Sequence, residues 1–211
     1  MTKTIIFDFD GTLADTFEVI VSITNSLAVE FGYQPVGKED IPKLQNLSSR
    51  EIVRQSEISF FKIPFLIRRL RRELENRITE VNLFAGIKEL ILDLKAEGYA
   101  LGIITSNSRE NVTALMAFNG LEKIFDFIWS SSKLFGKDKS IAKLIKREKL
   151  NLQDVFYVGD ETRDIDAAKK AGVGAIAVSW GFNSIEALAR NNPDFLASNP
   201  LELRDFLISR N

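Results

Sequence analysis

Two carboxylates set two residues apart at the end of an apolar run are the strongest chemical feature of this sequence. Asp8 and Asp10 close the run Ile5-Ile6-Phe7-Asp8-Phe9-Asp10 and are followed by Gly11-Thr12. Ile5 to Phe9 is apolar, β-branched and aromatic, which predicts a short buried strand ending at Gly11. Side chains of an extended chain repeat every two residues, so Asp8 and Asp10 leave on the same face. Two carboxylates on one face of a buried strand repel each other and are costly to desolvate. A divalent cation resolves that conflict, because it takes oxygen ligands and can leave one carboxylate free to attack. The plainer alternative is a turn in which Asp10-Gly11-Thr12 caps the following segment.

The rest of the composition narrows the chemistry. The chain has 211 residues, enough for one large domain or a domain with a small second one. Neither cysteine nor histidine occurs. Disulfides, thiolate catalysis, histidine triads and histidine- or cysteine-held metals are therefore excluded. Acid–base or nucleophilic chemistry must use carboxylates, hydroxyls, lysine or tyrosine. The net charge of −1 gives no global field for nucleic acid or an anionic membrane. No apolar run reaches transmembrane length, and charges arrive early at Asp8 and Asp10; the expectation is a cytoplasmic protein.

The elements that must position Asp8 and Asp10 follow from periodicity. Thr16 to Phe31 carries Phe17, Ile20, Val21, Ile23, Leu27 and Phe31 at helical spacing and stops at Gly32. Pro35, Gly37 and Pro42 mark a loop, Ser48 or Ser49 an N-cap, and Pro64 the start of a helix over Phe65 to Ile78. Residues 16–81 thus read as a small helical cap inserted after strand one. Beyond Phe84-Ala85-Gly86 the pattern changes to short apolar strands alternating with helices. The strands are Ala100 to Ile104, Phe125 to Trp129, Val155 to Val158 and Ala175 to Val178. That alternation predicts an α/β core of residues 1–15 and 82–211, a Rossmann-like parallel sheet with helices on both faces.

Sites in such sheets lie beyond the carboxyl ends of the strands. Here those ends carry Asp8 and Asp10, then Thr105-Ser106-Asn107, then Ser130-Ser131-Ser132 and Gly136-Lys137, then Asp160 with Asp164 four residues on. Carboxylates for a cation, hydroxyls and N–H groups for an anion, and a lysine fit a phosphate held beside Mg²⁺.

These motifs resemble the haloacid dehalogenase-like superfamily, above all its phosphoglycolate-phosphatase branch. The matching pieces are Asp8-Phe9-Asp10-Gly11-Thr12-Leu13, the strand ending at Thr105, Lys137, and Gly159-Asp160 with Asp164, and the likeness spans nearly the whole chain. The resemblance implies a Mg²⁺-dependent phosphomonoester hydrolase for a small phosphorylated metabolite, phosphoglycolate-like at first guess. It implies Asp8 as the nucleophile that becomes an aspartyl phosphate and Asp10 as general acid, then base. It further implies Mg²⁺ on Asp8, the Asp10 carbonyl and Asp160, with Asp164 as ligand or support. Thr105, Ser106, Lys137 and Gly11 would hold the phosphate. The family's usual Lys-Pro pair is replaced by Lys137-Asp138, which leaves Lys139 as a competitor. Thr105 has an alternative as a cap of the helix near Arg109, Asp164 as an N-cap, and Glu161 reads as a peripheral charge.

In this family the cap closes over the site and chooses the substrate. Leu47-Ser48-Ser49-Arg50-Glu51 resembles the segment that presents an arginine to the distal part of the substrate, which makes Arg50 the specificity candidate. Trp180-Gly181-Phe182 resembles a loop flanking the site, and packing is its expected role. The run Lys62, Arg68, Arg69, Arg71 and Arg72 interleaves with Phe60, Phe61, Phe65, Leu66 and Leu70. It reads as a solvated helix face answered by Glu73, Glu75 and Glu80, against the alternative of a membrane, partner or nucleic-acid surface. A monomer or homodimer is expected, without nucleic-acid or membrane partners. Two other functions compete. A sugar-phosphate mutase of this fold would need a cap histidine that the chain lacks, and a non-catalytic binding or scaffold protein would use the basic cap helix as its interface. A dehalogenase would lack the Asp10 carboxylate.

Overall fold

Six short strands, each too apolar to face water, lie side by side and in parallel. The structure, a computed structural model, describes residues 3–56, 58–130 and 136–210; Ser131 and Ser132 lie outside them. The strands are β1 (Thr4–Phe7), β4 (Ala100–Thr105), β5 (Phe127–Ser130), β6 (Val155–Gly159), β7 (Gly174–Val178) and β8 (Phe195–Ala197). Their order is β5-β4-β1-β6-β7-β8, every pairing parallel, with β1 central between β4 and β6. The helices between them are α5 (Ile87–Ala96), α6 (Arg109–Phe118), α7 (Lys137–Glu148), α8 (Thr162–Ala171), α9 (Ile185–Arg190) and α10 (Pro200–Ile208). They form the two covering layers that a parallel sheet requires.

Alternation along β1 assigns its side chains to two cores. Ile5 and Phe7 join one with Leu101, Ile103, Val158 and Leu90. Ile6 joins the other with Ile104, Tyr157, Ile141 and Ile165. All of β1 is buried, so β1 can deliver functional groups only at its C-terminal end.

The predicted helical insertion is present as α1 (Phe17–Phe31), α2 (Ile41–Gln45), α3 (Ser49–Gln55) and α4 (Ile63–Asn76). Gly32 ends α1 in a left-handed conformation, φ 79°, with its N–H on the Ala28 carbonyl. Ser48 is the N-cap of α3 and forms a capping box with Glu51. The Ser49 hydroxyl does something else: it donates to Glu161 at 2.6 Å. On the exposed side of α4, Arg69 pairs with Glu73 at 2.5 Å, and the Arg68 guanidinium sits 5.5 Å over the Phe65 ring.

Several short elements escape sequence reasoning. The strands β2 (Ala14–Asp15) and β3 (Asn82–Leu83) pair antiparallel where the chain leaves and re-enters the core, but two-residue strands carry no periodicity. The helix α2 is a single turn with proline in its first turn, so Pro42 reads as a loop signal. β8 has only three residues between Pro193 and Pro200.

Candidate active site

β1 ends at Phe7, two residues earlier than its apolar run suggests. The Asp8 N–H still pairs with the Val158 carbonyl at 2.8 Å, and the chain then folds back so that Gly11 N–H reaches the Ala14 carbonyl at 2.9 Å. Gly11 adopts φ +75°, and a Cβ there would run into the Asp160 carboxylate and the Phe182 ring. Only glycine meets both demands. The reversal sends the two carboxylates to different partners rather than leaving them as a stacked pair.

Asp8 is buried. It accepts from the Phe9 N–H at 2.7 Å and from Lys137 Nζ at 2.5 Å. Lys137, 5 % exposed, donates also to Asp164 at 2.6 Å. The attraction of Asp164 and Asp8 overcomes the cost of burying an ammonium and holds its pKa well above the ordinary value. Lys139 is exposed, so the geometry favours Lys137 for the site.

Asp160 and Asp164 come from the β6–α8 turn. Asp160 accepts from Thr12 Oγ1 at 2.8 Å and from the Phe182 N–H at 2.7 Å. Asp164 is not the N-cap of α8; Glu161 is, and Asp164 returns the bond from the third position, accepting the Glu161 N–H at 3.1 Å. Carboxylate oxygens of Asp8, Asp160 and Asp164 all lie within 4.8 Å of one another. Burial, reinforced by Glu161, Asp164 and Asp8, pushes the Asp160 carboxyl well up. Burial also lifts Asp164 to about 6, with Lys137 opposing and Asp8 assisting. Asp8 and Asp164 share the Lys137 ammonium while Asp160 is held by neutral donors, so this oxygen-rich cluster fits a hard divalent cation.

Asp10 stands apart from that cluster. Its carboxylate accepts from Asn107 Nδ2 at 2.9 Å. Burial, then the Asp8 charge, raise its pKa from 3.8 to about 7. A carboxyl poised there can hold a proton and release it near neutrality. Asn107 is fixed in turn, because its Oδ1 accepts from Ser108 N–H at 2.7 Å and Asn111 Nδ2 at 2.9 Å.

Thr105 ends β4 fully buried, and its hydroxyl oxygen accepts the Asn107 N–H at 2.9 Å. It does not cap α6, whose N-cap is Ser108. Ser106 lines a cavity with Asp10 and Asn107. Arg50 is exposed and lines a different recess, with Gly136 and Lys137 on its wall.

Two sequence readings change. Glu161 is no peripheral charge: it accepts from Ser49 of the cap and from Arg163, which donates through Nε at 2.7 Å. The Trp180-Gly181-Phe182 loop packs, with Phe182 5.2 Å from the Phe17 ring, but it also holds Asp160 through the Phe182 N–H. Asn183 was invisible in sequence. Its Nδ2 donates to Gln45 and Leu47 carbonyls of the cap at 2.9 and 3.0 Å, while its Oδ1 accepts the Thr162 N–H. No pattern of spacing announces such a bridge across 136 to 138 residues.

A six-stranded parallel sheet with a helical insertion after strand one, bearing carboxylates and a buried lysine at its carboxyl edge, is the architecture of a hydrolase superfamily. The model of the haloacid dehalogenase-like hydrolases matches residues 5–178, and the chain belongs to that family. It is 38 % identical over 201 residues to a phosphoglycolate phosphatase of Synechococcus elongatus, covering 95 % of both chains. To a pyrophosphatase of Bacillus cereus it is 27 % identical, covering 99 % of this chain and 98 % of the other. A predicted phosphatase from Clostridium acetobutylicum shares the fold with a TM-score of 0.85 at 22 % identity, over 99 % of this chain and all of the other. The protein is an enzyme of the phosphatase class within this family. No helix of the described residues is long and apolar enough to cross a membrane.

Proposed function

We propose that this enzyme is a Mg²⁺-dependent phosphomonoesterase that hydrolyses a small phosphorylated metabolite, 2-phosphoglycolate first among candidates, through an aspartyl phosphate on Asp8. The observation that carries the reading is the division of labour between the two aspartates. Asp8 lies among Lys137, Asp160 and Asp164, while Asp10 is drawn away to Asn107 and is poised near neutrality. Asp8, Asp160 and Asp164, with the Asp10 carbonyl, would hold Mg²⁺. When bound, the ion supplies positive charge against the phosphoryl oxygens, so that an anionic carboxylate can approach an anionic ester.

Asp8 attacks phosphorus, and the bond to the ester oxygen breaks as the aspartyl phosphate forms. Asp10 gives its proton to the departing oxygen, then takes one from the water that attacks the aspartyl phosphate. Lys137 balances charge at Asp8 and draws Asp164 into place. The Thr105 hydroxyl, whose oxygen already accepts the Asn107 N–H, can donate its hydrogen to a phosphoryl oxygen. Ser106 and the N–H groups at the Gly11 reversal complete the phosphate's surroundings. The relatives named above support the substrate class, and the lack of histidine in the chain weighs against mutase chemistry. A panel of phosphorylated metabolites assayed with Mg²⁺, with Asp8→Asn as control, tests the reading. Hydrolysis of a small ester by the wild type, lost in the variant, is expected. Turnover that survives Asp8→Asn, with deamidation excluded, refutes the assignment.

A further inference from the structure

The carboxyl that must deliver a proton is aimed by a chain of two amides. Asp10 Oδ1 accepts from Asn107 Nδ2 at 2.9 Å. With that oxygen engaged as an acceptor, the proton of the neutral acid sits on Oδ2, so the setting of the Asn107 amide selects the oxygen that delivers it. Asn107 Oδ1 in turn receives the Ser108 N–H at 2.7 Å. A backbone donor cannot turn round, so Oδ1 lies on that side and Nδ2 on the Asp10 side. One bond settles which end of the amide meets Asp10. A second donor on the same oxygen settles the plane.

That second donor is Asn111, 1 % exposed, in the first turn of α6. Its Nδ2 donates to Asn107 Oδ1 at 2.9 Å and to the Arg71 main-chain carbonyl of α4 at 3.4 Å. Both partners are acceptors, so the Asn111 amide fits only this way round. The consequence falls on its other end, where Asn111 Oδ1 is buried with no hydrogen-bond partner among the described residues. A buried acceptor left unpaired is destabilising, and an apolar side chain of the same shape avoids that cost. Nor does α6 need this side chain to start. Ser108 is its N-cap and accepts the Asn111 N–H on its hydroxyl at 3.1 Å. A polar group buried at a loss, on a helix already capped without it, has its use in the bond it makes to Asn107.

We propose that Asn111 is a positioning residue for the acid step: it locks the Asn107 amide so that Asp10 presents its protonated oxygen to the departing ester oxygen. In that step the phosphorus–oxygen bond to the leaving group breaks as the bond to Asp8 forms, and the Asp10 proton passes to the leaving oxygen. The proposal rests on the phosphatase reading above and names what aims its acid.

The test uses leaving groups that differ in their need for that proton. An alkoxide must be protonated as it leaves, whereas p-nitrophenolate departs as a stable anion. The ratio kcat/KM covers the steps up to departure of the leaving group, so the later use of Asp10 as a base does not enter. It is measured with Mg²⁺ in wild type, Asn111→Ala and Asn111→Leu. The substrates are p-nitrophenyl phosphate and an alkyl ester, 2-phosphoglycolate or, where that is inert, the fastest alkyl ester of the metabolite panel. Leucine fills the space of the amide without its donor or its unpaired oxygen, so it carries the test where alanine does not fold. Either variant should lower kcat/KM for the alkyl ester about tenfold or more, part of the about 10²–10⁴-fold that a positioned acid supplies, and for the aryl ester no more than about threefold. In an Asn107→Ala background, Asn111→Leu should change turnover of the alkyl ester less than about twofold, because the amide it acts through is gone. Equal losses on the two esters, no loss on either, or full additivity with Asn107→Ala overturns the proposal and leaves the phosphatase reading intact. So does a missing thermal transition in both variants, which makes the amide structural. So too does a wild type that hydrolyses only the aryl ester, whose leaving group needs no proton. Failure to hydrolyse any phosphate ester overturns both.

Discussion

The buried carboxylates make a definite demand on the stability of the metal-free enzyme. Asp10 has its pKa raised from 3.8 to about 7, by burial and then by the Asp8 charge. Between those values the folded chain keeps a proton on Asp10 that the unfolded chain has released. Stability must therefore fall as pH rises through this window, the reverse of a salt-bridged carboxylate. Each tenfold difference in proton affinity is about 1.4 kcal/mol, so Asp10 alone accounts for a loss of about 4 kcal/mol between pH 4 and pH 8. Asp164, raised from 3.8 to about 6, acts in the same direction. For a chain of this size each kcal/mol moves Tm by about 2–4 °C, so the Asp10 share is about 10 °C. Scanning calorimetry in chelator from pH 4.5 to 8 should show a falling Tm, and Asp10→Asn should flatten the slope by that share. Added Mg²⁺ should stabilise the protein more at pH 8 than at pH 5, because protons compete for the same oxygens. A Tm that is level or rises with pH, or an Asp10→Asn profile parallel to wild type, refutes the electrostatic account.

Three further outcomes follow from contacts in the site. Lys137→Met leaves Asp8 and Asp164 buried without their shared cation, so chemical denaturation in chelator should show a loss of about 3–5 kcal/mol. Gly11→Ala forces a side chain at φ +75° into Asp160 and Phe182, and a steady-state phosphatase assay should show more than about a hundredfold loss. Asn183→Ala cuts three hydrogen bonds, two to the Gln45 and Leu47 carbonyls and one from the Thr162 N–H; KM should rise several-fold while Tm falls by roughly 6–12 °C, about 1 kcal/mol per bond lost.

How far the sequence reveals this site depends on the range of the signal. Short-range chemistry is legible. The apolar runs mark the strands, and the polar residues after them mark the site edge, because parallel sheets place their sites there. The same logic brings Asp8, Thr105, Lys137 and Asp160 onto one rim from four separate strand ends. What depends on the exact path of a loop is hidden. Extended geometry stacks Asp8 and Asp10 on one face, whereas the reversal at Gly11 sends one to Lys137 and the other to Asn107. Asn107 stands in plain view in Thr105-Ser106-Asn107, yet only the fold shows which of the three meets Asp10. Arg71 is concealed for a related reason. It belongs to a run of arginines, and only the fold shows that it lines the cavity beside Asp10. Glu161 resembles any loop carboxylate until Ser49 is brought against it from 112 residues away.

The central claim is that Asp8 carries the phosphoryl group, and one measurement addresses it directly. Wild-type enzyme turning over 2-phosphoglycolate with Mg²⁺ is quenched rapidly in acid, digested, and its peptides weighed by mass spectrometry. The account predicts a transient gain of one phosphoryl group on the peptide containing Asp8, localised to that carboxylate and absent from Asp8→Asn. Full turnover with no phosphoryl group on the chain at any quench time, or with the group on another residue, would contradict it.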